Sequence, residues 1–187
     1  APSQQPTLES DRVFRITAKP PLQGPRARGV RGDWVVKNDK LVAVFRARDG
    51  RLVDLGFVSD GRDVLHHFNS TINETRGRSL IYYSGARAVT RDGGRTHALE
   101  LFGRFTDADL DLEVRTQVWA PPGAWYLVLR THVTNRAPMR SLHVGLGDAT
   151  YLGNSRLFVP GHGLVRKSLH HHALWIARQL DDRILAL

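Results

Sequence analysis

Apolar and polar side chains alternate along residues 109–120. One face of this segment carries Leu110, Leu112, Val114, Thr116, Val118 and Ala120. The other face carries Asp109, Asp111, Glu113, Arg115, Gln117 and Trp119. A period of two sorts side chains to opposite sides of an extended chain, whereas a helix would scatter them around its circumference. The pattern predicts a β-strand with one buried face and one polar face.

Residues 125–135 repeat this alternation, and Pro121-Pro122-Gly123 separates the two segments. Proline and glycine end strands and reverse the chain, so the pair is predicted to form a hairpin. If the hairpin closes across Ala120 and Trp125, Val114 lies opposite Thr131 and Val118 opposite Leu127. On the polar side, Glu113 then lies opposite His132, and Arg115 opposite Arg130. A slip by one residue would bury charged side chains.

The rest of the chain also indicates strands. They are predicted at residues 12–17, 34–37, 41–45, 51–57, 63–68, 79–83, 87–91, 96–105, 142–146, 156–159 and 171–178. Turn residues recur about every ten positions, which is typical of a sandwich or barrel. We therefore expect an all-β antiparallel sandwich, similar to a supersandwich. The chain stops within the apolar run 184–187, with no polar residue to protect an edge strand, so we expect an incomplete fragment of a larger sandwich.

Two segments are predicted. Residues 1–31 are expected to form a polar, proline-rich arm with one short strand and a linker, and residues 32–187 the sandwich domain. The sequence Ala1-Pro-Ser-Gln-Gln-Pro6 is typical of the residues that begin a chain after removal of a signal peptide, which favours an extracytoplasmic, periplasmic or secreted protein.

Composition narrows the possible chemistry. The 187 residues include no cysteine, which excludes disulfides, cysteine zinc sites and thiol nucleophiles. No apolar stretch reaches the roughly 18 residues of a membrane span. The net charge is +9, but it comes from 23 Arg and 4 Lys spread along the chain. A nucleic-acid-binding protein usually concentrates its basic residues, so that function is only the second alternative.

Several turn and strand motifs resemble known domains. Residues 32–45, 50–55 and 60–65 look like the opening of β-sandwich domains in large bacterial extracytoplasmic proteins, some of which carry PHP-type, carbofuran-hydrolase-like metallohydrolase domains. Residues 127–135 followed by 144–148 are similar to the strand–Asn–strand pattern of galactose-mutarotase-like supersandwiches. The resemblance covers about residues 32–178 and implies a supersandwich with a connection to carbohydrates. It supplies no active site.

The polar side of the predicted hairpin is the candidate ligand-binding site, formed by Glu113, Arg115, Gln117, Arg130 and His132. Two opposed arginines repel each other unless an anion or a carboxylate lies between them. Arginine pairs suit acidic sugars, and a Glu–His pair can serve as base and acid. The simpler alternative is that Glu113 pairs with Arg130 and His132 and the face is merely solvated.

Histidines suggest two further features. His170 and His172 would share a strand face and could hold a metal with His162 or Asp148, but two ligands are too few for a tight site, so no metal and no cofactor is predicted. His97 shares its face with Leu99 and Leu101, which predicts a histidine in the core or at its seam.

The leading hypothesis is a non-catalytic sandwich domain of a larger bacterial protein, for carbohydrate recognition or protein interaction. Its partners would be an acidic sugar, or the rest of a parent chain or another subunit that completes the sheet. The alternative is a mutarotase-like or polysaccharide-acting enzyme fragment that uses Glu113, Arg130 and His132. The sequence has no hydrolase elbow, phosphate loop or zinc-protease motif.

Overall fold

The computed structural model describes residues 12–65, 67–72, 79–107, 110–137, 141, 144–151, 157–165, 177–180 and 183–186. The chain divides into two compact units, Ala1–Thr150 and Tyr151–Leu187. The described residues form antiparallel strands and no α-helix, which confirms the all-β prediction. None of them forms a helix long and apolar enough to cross a membrane.

The first unit contains two sheets. Sheet I has the order β1-β2-β3-β4-β5-β11, with β6 beside β5, and sheet II has the order β10-β9-β8-β7. The strands of sheet I are β1 (Arg12–Arg15), β2 (Trp34–Lys37), β3 (Leu41–Phe45), β4 (Leu52–Phe57), β5 (His67–Ile72), β6 (Ser79–Leu80) and β11 (Leu146–Tyr151). Those of sheet II are β7 (Gly85–Arg91), β8 (Thr96–Asp107), β9 (Leu110–Trp119) and β10 (Val128–Asn135).

The second unit carries a separate four-stranded antiparallel sheet, sheet III. Its order is β13-β12-β14-β15. The strands are β12 (Leu157–Val159), β13 (Gly163–Val165), β14 (Ala177–Leu180) and β15 (Arg183–Ala186). The predicted strands at 156–159 and 171–178 therefore correspond to β12 and, at its last residues, β14, while residues 166–176 lie outside the described part of the chain.

Sheet I is buried on both faces at its centre, in β3 and β4. Its outer face is covered by the segment between β1 and β2, which adds Ile16 and Leu22 to a cluster that includes Val35 and Val44. Asp54 holds this segment in place, because its two carboxylate oxygens accept the N–H groups of Arg28 and Gly29, each at 2.7 Å. The predicted division between residues 1–31 and 32–187 stays a prediction. Ile16 and Leu22 lie before this boundary in sequence, but they belong to the buried cluster of sheet I.

A line of hydroxyl groups runs through the core from sheet II to Tyr83, which lies in the connection between β6 and β7. The Tyr83 hydroxyl lies 2.6 Å from Thr116 Oγ1, which in turn lies 2.9 Å from Thr131 Oγ1. Thr116 is 1% exposed. A buried hydroxyl needs a hydrogen-bond partner, and this line explains how threonines fit into the apolar face of the hairpin.

The β9–β10 hairpin differs from the prediction by two residues. Val114 lies opposite Val133 rather than Thr131, and Arg115 lies opposite His132 rather than Arg130. The even shift keeps every side chain on its predicted face. The connection is wider than predicted because Asn38, 1% exposed, donates to the carbonyls of Pro121 at 2.5 Å and Ala124 at 2.9 Å. These bonds stabilise a broad loop in place of a tight turn.

A second difference concerns β5. The strand was predicted at residues 63–68, but it covers His67–Ile72. Asp63 lies instead in the connection, where its Oδ1 accepts the N–H groups of Leu55 at 2.9 Å and Leu65 at 3.1 Å. Its Oδ2 has no hydrogen-bond partner among the described residues. Burial raises the pKa of Asp63 to about 6.

This carboxyl group makes stability depend on pH. Because the folded pKa of about 6 exceeds the ordinary 3.8, the folded protein binds more protons between these values. The contribution of Asp63 to the free energy of unfolding should therefore fall as pH rises through this window and level off above it. In Asp63→Asn the free energy of unfolding should fall less over this pH range. Part of the fall should remain, because burial also raises the pKa of Asp54. Urea denaturation at several pH values measures this.

The matched control is Asp60→Asn, an exposed acid whose Oδ1 accepts the N–H of Arg62 at 3.1 Å. Its pH profile should follow that of the wild type. A profile for Asp63→Asn that is as steep as the wild-type profile would contradict the assignment.

Candidate binding face on sheet II

The outer face of sheet II, which we call the charged face, follows from the strand registers. Side chains that are direct partners across a ladder point to the same side of a sheet. One row runs Arg87–Glu100–Gln117–Arg130, and the next contains Phe102, Arg115 and His132. A third row places Glu113 between Arg104 and Thr134. All five predicted site residues therefore lie on one face.

The inner faces of the same strands are apolar. Leu99, Leu101, Leu112, Val114 and Val118 are at most 2% exposed. Burial of this face against sheet I fixes which side of β9 faces water, because a one-residue slip would turn its acids and arginines inward. The hydrophobic core therefore positions the charged face.

Glu113 is held by two arginines. Arg115 Nε donates to its Oε1 at 2.6 Å, and Arg136 Nε donates to its Oε2 at 2.9 Å. These hydrogen bonds, first from Arg136 and then from Arg115, hold the pKa of Glu113 below its ordinary value. The predicted pairing of Glu113 with His132 and Arg130 is wrong, because Glu113 lies opposite Thr134.

Glu100 and Asp111 are also paired. Arg87 Nε donates to Glu100 at 2.8 Å, and Gln117 donates to its other oxygen at 3.2 Å. Burial alone would raise the pKa of Glu100, but these bonds outweigh it and the pKa lies below its usual value. Arg104 binds both oxygens of Asp111, at 2.7 and 2.6 Å, which lowers the pKa of that acid. The three carboxylates of the face are thus all neutralised.

Cations remain in excess on this face. Among the described residues, three carboxylates on this face stand against six guanidinium groups, those of Arg87, Arg91, Arg104, Arg115, Arg130 and Arg136. Arg130 has no ion-pair partner among the described residues and is exposed. It lies one row from Arg115 and His132, so three basic residues occupy neighbouring positions at this corner. The predicted repulsion between directly opposed Arg115 and Arg130 is replaced by a diagonal arrangement.

Two aromatic rings lie among these charges. Arg91 covers the ring of Trp119 at 3.7 Å, and Arg87 lies 5.8 Å from the ring of Phe102. Phe102 lies over Gly85, where any side chain would overlap its ring. Cation–π contacts thus place an arginine charge beside each ring.

Five residues of the charged face were not predicted: Arg87, Arg91, Glu100, Arg104 and Arg136. The first four follow the same alternation along β7 and β8 that identified β9, so pairing those strands would have found them. Arg136 lies beyond β10, and its contact with Glu113 depends on how the chain leaves the strand.

The histidine pair weighed as a metal-binding site cannot be placed in the described part of the chain. His170 and His172 lie outside the described residues. Among those that are described, no three His, Asp or Glu side chains are arranged to hold a metal. His97 was predicted to lie in the core or at its seam, but it is exposed.

Comparison with protein-family models finds no match, and comparisons with curated proteins and with solved structures find none either. The resemblance to galactose-mutarotase-like domains stays a hypothesis.

The two arginines on Glu113 can be tested by titration. In Arg136→Gln the pKa of Glu113 should rise toward its ordinary value, because the first of its two lowering contacts is lost. Carboxyl ¹³C chemical shifts followed against pH measure this. Arg130→Gln, which removes an arginine from the same face without touching Glu113, should leave the titration unchanged. An unchanged Glu113 titration in Arg136→Gln would show that the ion pair does not form.

Proposed function

We propose that this chain is a non-catalytic β-sandwich domain that recognises an acidic carbohydrate on its charged face. The observation that supports this most is Arg130, an exposed arginine with no described carboxylate against it, next to Arg115 and His132. Guanidinium groups form bidentate bonds with carboxylate and sulfate oxygens. Arg130 is available for such a bond, since no described carboxylate lies against it.

The spacing of the face suits a chain of repeated anions. Arg87 and Arg130 occupy the two ends of one row across four strands, which places their Cα atoms roughly 14 Å apart. Phe102, which is 36% exposed, offers apolar ring surface between the charges, and this surface can contact the C–H groups of sugar rings. A polymer of acidic sugars could therefore bind several arginines at once.

A binding role is better supported than catalysis. A general acid must carry a proton near neutral pH, but the pKa of Glu113 is lowered and both its oxygens accept from arginines. His132 lies opposite Arg115 and not opposite Glu113, so the proposed acid–base pair is not assembled. The enzyme-fragment alternative therefore loses the pairing on which it depended.

Protein interaction is the second candidate, and one loop favours it. Trp125 and Tyr126 are 61% and 60% exposed, on the loop that Asn38 fixes. Asp39 adds a bond to this loop by accepting the N–H of Gly123 at 2.8 Å. Exposed aromatic residues on a rigid loop are typical anchors of protein interfaces.

Binding to immobilised polygalacturonate, heparin and a neutral glucan tests the first proposal. The two acidic polymers should bind and the glucan should not, and added salt should weaken binding. Arg115→Gln combined with Arg130→Gln should weaken binding at least tenfold, which is about 1.4 kcal/mol. Duplex DNA is tested in the same way, because binding to DNA alone would favour the nucleic-acid-binding alternative.

Arg15→Gln is the matched control for this experiment. Arg15 is an exposed arginine that stacks on Trp34 of sheet I at 4.6 Å, so its loss should leave glycan binding unchanged. Trp125→Ala should also bind the acidic glycans normally. This result would mean that the exposed loop does not take part in glycan binding and is available to a protein partner. Equal loss of binding in Arg15→Gln and in the double variant would mean a nonspecific charge effect and would contradict a site on the charged face.

A further inference from the structure

The turn between β3 and β4 brings three arginines together on sheet I, whereas the charged face belongs to sheet II. We call this turn, residues 46–51, the arginine loop. Arg46 Nη1, Arg48 Nε and Arg51 Nε all lie close to one atom, Asp49 Oδ2, at 3.7, 3.7 and 3.4 Å. The three guanidinium groups therefore converge on a single point.

The carboxylate of Asp49 does not neutralise this cluster. Among the described residues no other acid pairs with Arg46, Arg48 or Arg51, so one negative charge faces three positive charges. The contacts are also longer than the roughly 2.7–2.9 Å of a charge-assisted hydrogen bond. Arg51 Nε is buried and has no hydrogen-bond partner in the described part of the chain. The cluster therefore has an excess of two positive charges and N–H donors without acceptors.

Hydrogen bonds hold the arginine loop in one conformation. The N–H of Arg46 donates to the carbonyl of Arg51 at 2.8 Å and closes the hairpin. Within the loop, the N–H of Ala47 donates to the buried carboxylate of Asp33 at 2.9 Å. Gly50 completes the turn at φ +70°, a left-handed conformation that favours glycine. A loop that is already fixed loses little conformational entropy when it binds a ligand.

Solvent reaches the arginines more easily than it reaches the acid. The side chain of Arg48 is 77% exposed and that of Arg51 28%, but that of Asp49 only 11%. An anion can therefore approach the guanidinium groups while the carboxylate stays largely covered. A phosphate monoester carries close to two negative charges at neutral pH and has three acceptor oxygens, so it matches both the charge and the donors of the cluster.

An aromatic ring lies next to the arginine loop. Tyr82 is 54% exposed, and the guanidinium carbon of Arg51 lies 5.0 Å from the centre of its ring. The cation–π contact keeps this guanidinium group beside the ring. Exposed aromatic surface next to a cluster of cations can pack against the organic part of a small anion.

We propose that the arginine loop binds a small phosphate monoester. Its phosphoryl oxygens accept hydrogen bonds from Arg46, Arg48 and Arg51, and its organic part packs against Tyr82. None of these residues belongs to the charged face, so the proposal does not depend on carbohydrate binding.

Phenyl phosphate is the probe, and phenyl sulfate, which has a similar shape but one negative charge, is the matched control. Each is titrated into the whole chain while the amide signal of Gly50 and the ring signals of Tyr82 are followed by NMR. Phenyl phosphate should shift these signals in a saturable way and bind several-fold more tightly than phenyl sulfate. Acidification should weaken the binding of phenyl phosphate alone, because the second pKa of a phosphate group is about 6. No saturable shift, or equal affinity for the two probes, would overturn the proposal.

Variants locate the site. Arg48→Gln and Arg46→Gln should each raise the Kd of phenyl phosphate several-fold, and Arg48→Gln should remain folded because its side chain is largely exposed. The matched control is Arg95→Gln, an exposed arginine in the turn between β7 and β8, which should bind the probe like the wild type. Arg130→Gln should also bind the probe normally while it binds acidic glycan more weakly, so the two proposals can fail separately. An unchanged Kd in both Arg48→Gln and Arg46→Gln, or an equal loss in Arg95→Gln, would contradict a site at the arginine loop.

Discussion

Strand β9 has a hydrogen-bonded neighbour on each side, β8 and β10, and it can be accommodated in only one orientation. Its even-numbered side chains from Leu112 to Val118 are at most 1% exposed, and its odd-numbered ones carry the charges. Turning the strand over would bury two acids and an arginine, at a cost far above the few kcal/mol that separate folded from unfolded chains. The hydrophobic core thus determines where every charged group of sheet II lies.

Once the charges share a face, cross-strand pairing decides which of them remain available. Each of the three carboxylates receives hydrogen bonds from at least one arginine: Glu100 from Arg87, Asp111 from Arg104, and Glu113 from Arg115 and Arg136. Exposed pairs of this kind contribute little to stability. Their importance is electrostatic, because they leave a surplus of guanidinium groups on one flat surface. That surplus is the physical basis of the proposal that the face binds an acidic ligand.

Much of the fold follows from periodicity and turn residues. β2 and β3 lie at the residues predicted, and the alternation along β9 and β10 places all five site residues on one face. The register could not be predicted, because the width of the β9–β10 loop depends on Asn38, a residue more than 80 positions away in sequence. The predicted position of β5 was wrong because of another contact between a side chain and the backbone. The carboxylate of Asp63 takes backbone N–H groups of Leu55 and Leu65, and the strand begins only after them.

The candidate site was likewise only partly predictable from the sequence. Side-chain direction is a local property, so the sequence was enough to gather Glu113, Arg115, Gln117, Arg130 and His132 on one surface. Which arginine neutralises which acid is a property of the register and of neighbouring strands. It therefore needed the structure.

The central claim is the arrangement of charged side chains that the β9–β10 register creates, and the lack of cysteine in the chain allows a direct test. Direct partners in an antiparallel ladder have Cα atoms about 5 Å apart, within reach of a disulfide, whereas diagonal neighbours are roughly 7–8 Å apart. Arg115→Cys with His132→Cys should therefore form an intramolecular disulfide under mild oxidation, and Arg115→Cys with Arg130→Cys should not. Disulfide formation in the second pair and not in the first would contradict the register, and with it the arrangement of the charged face.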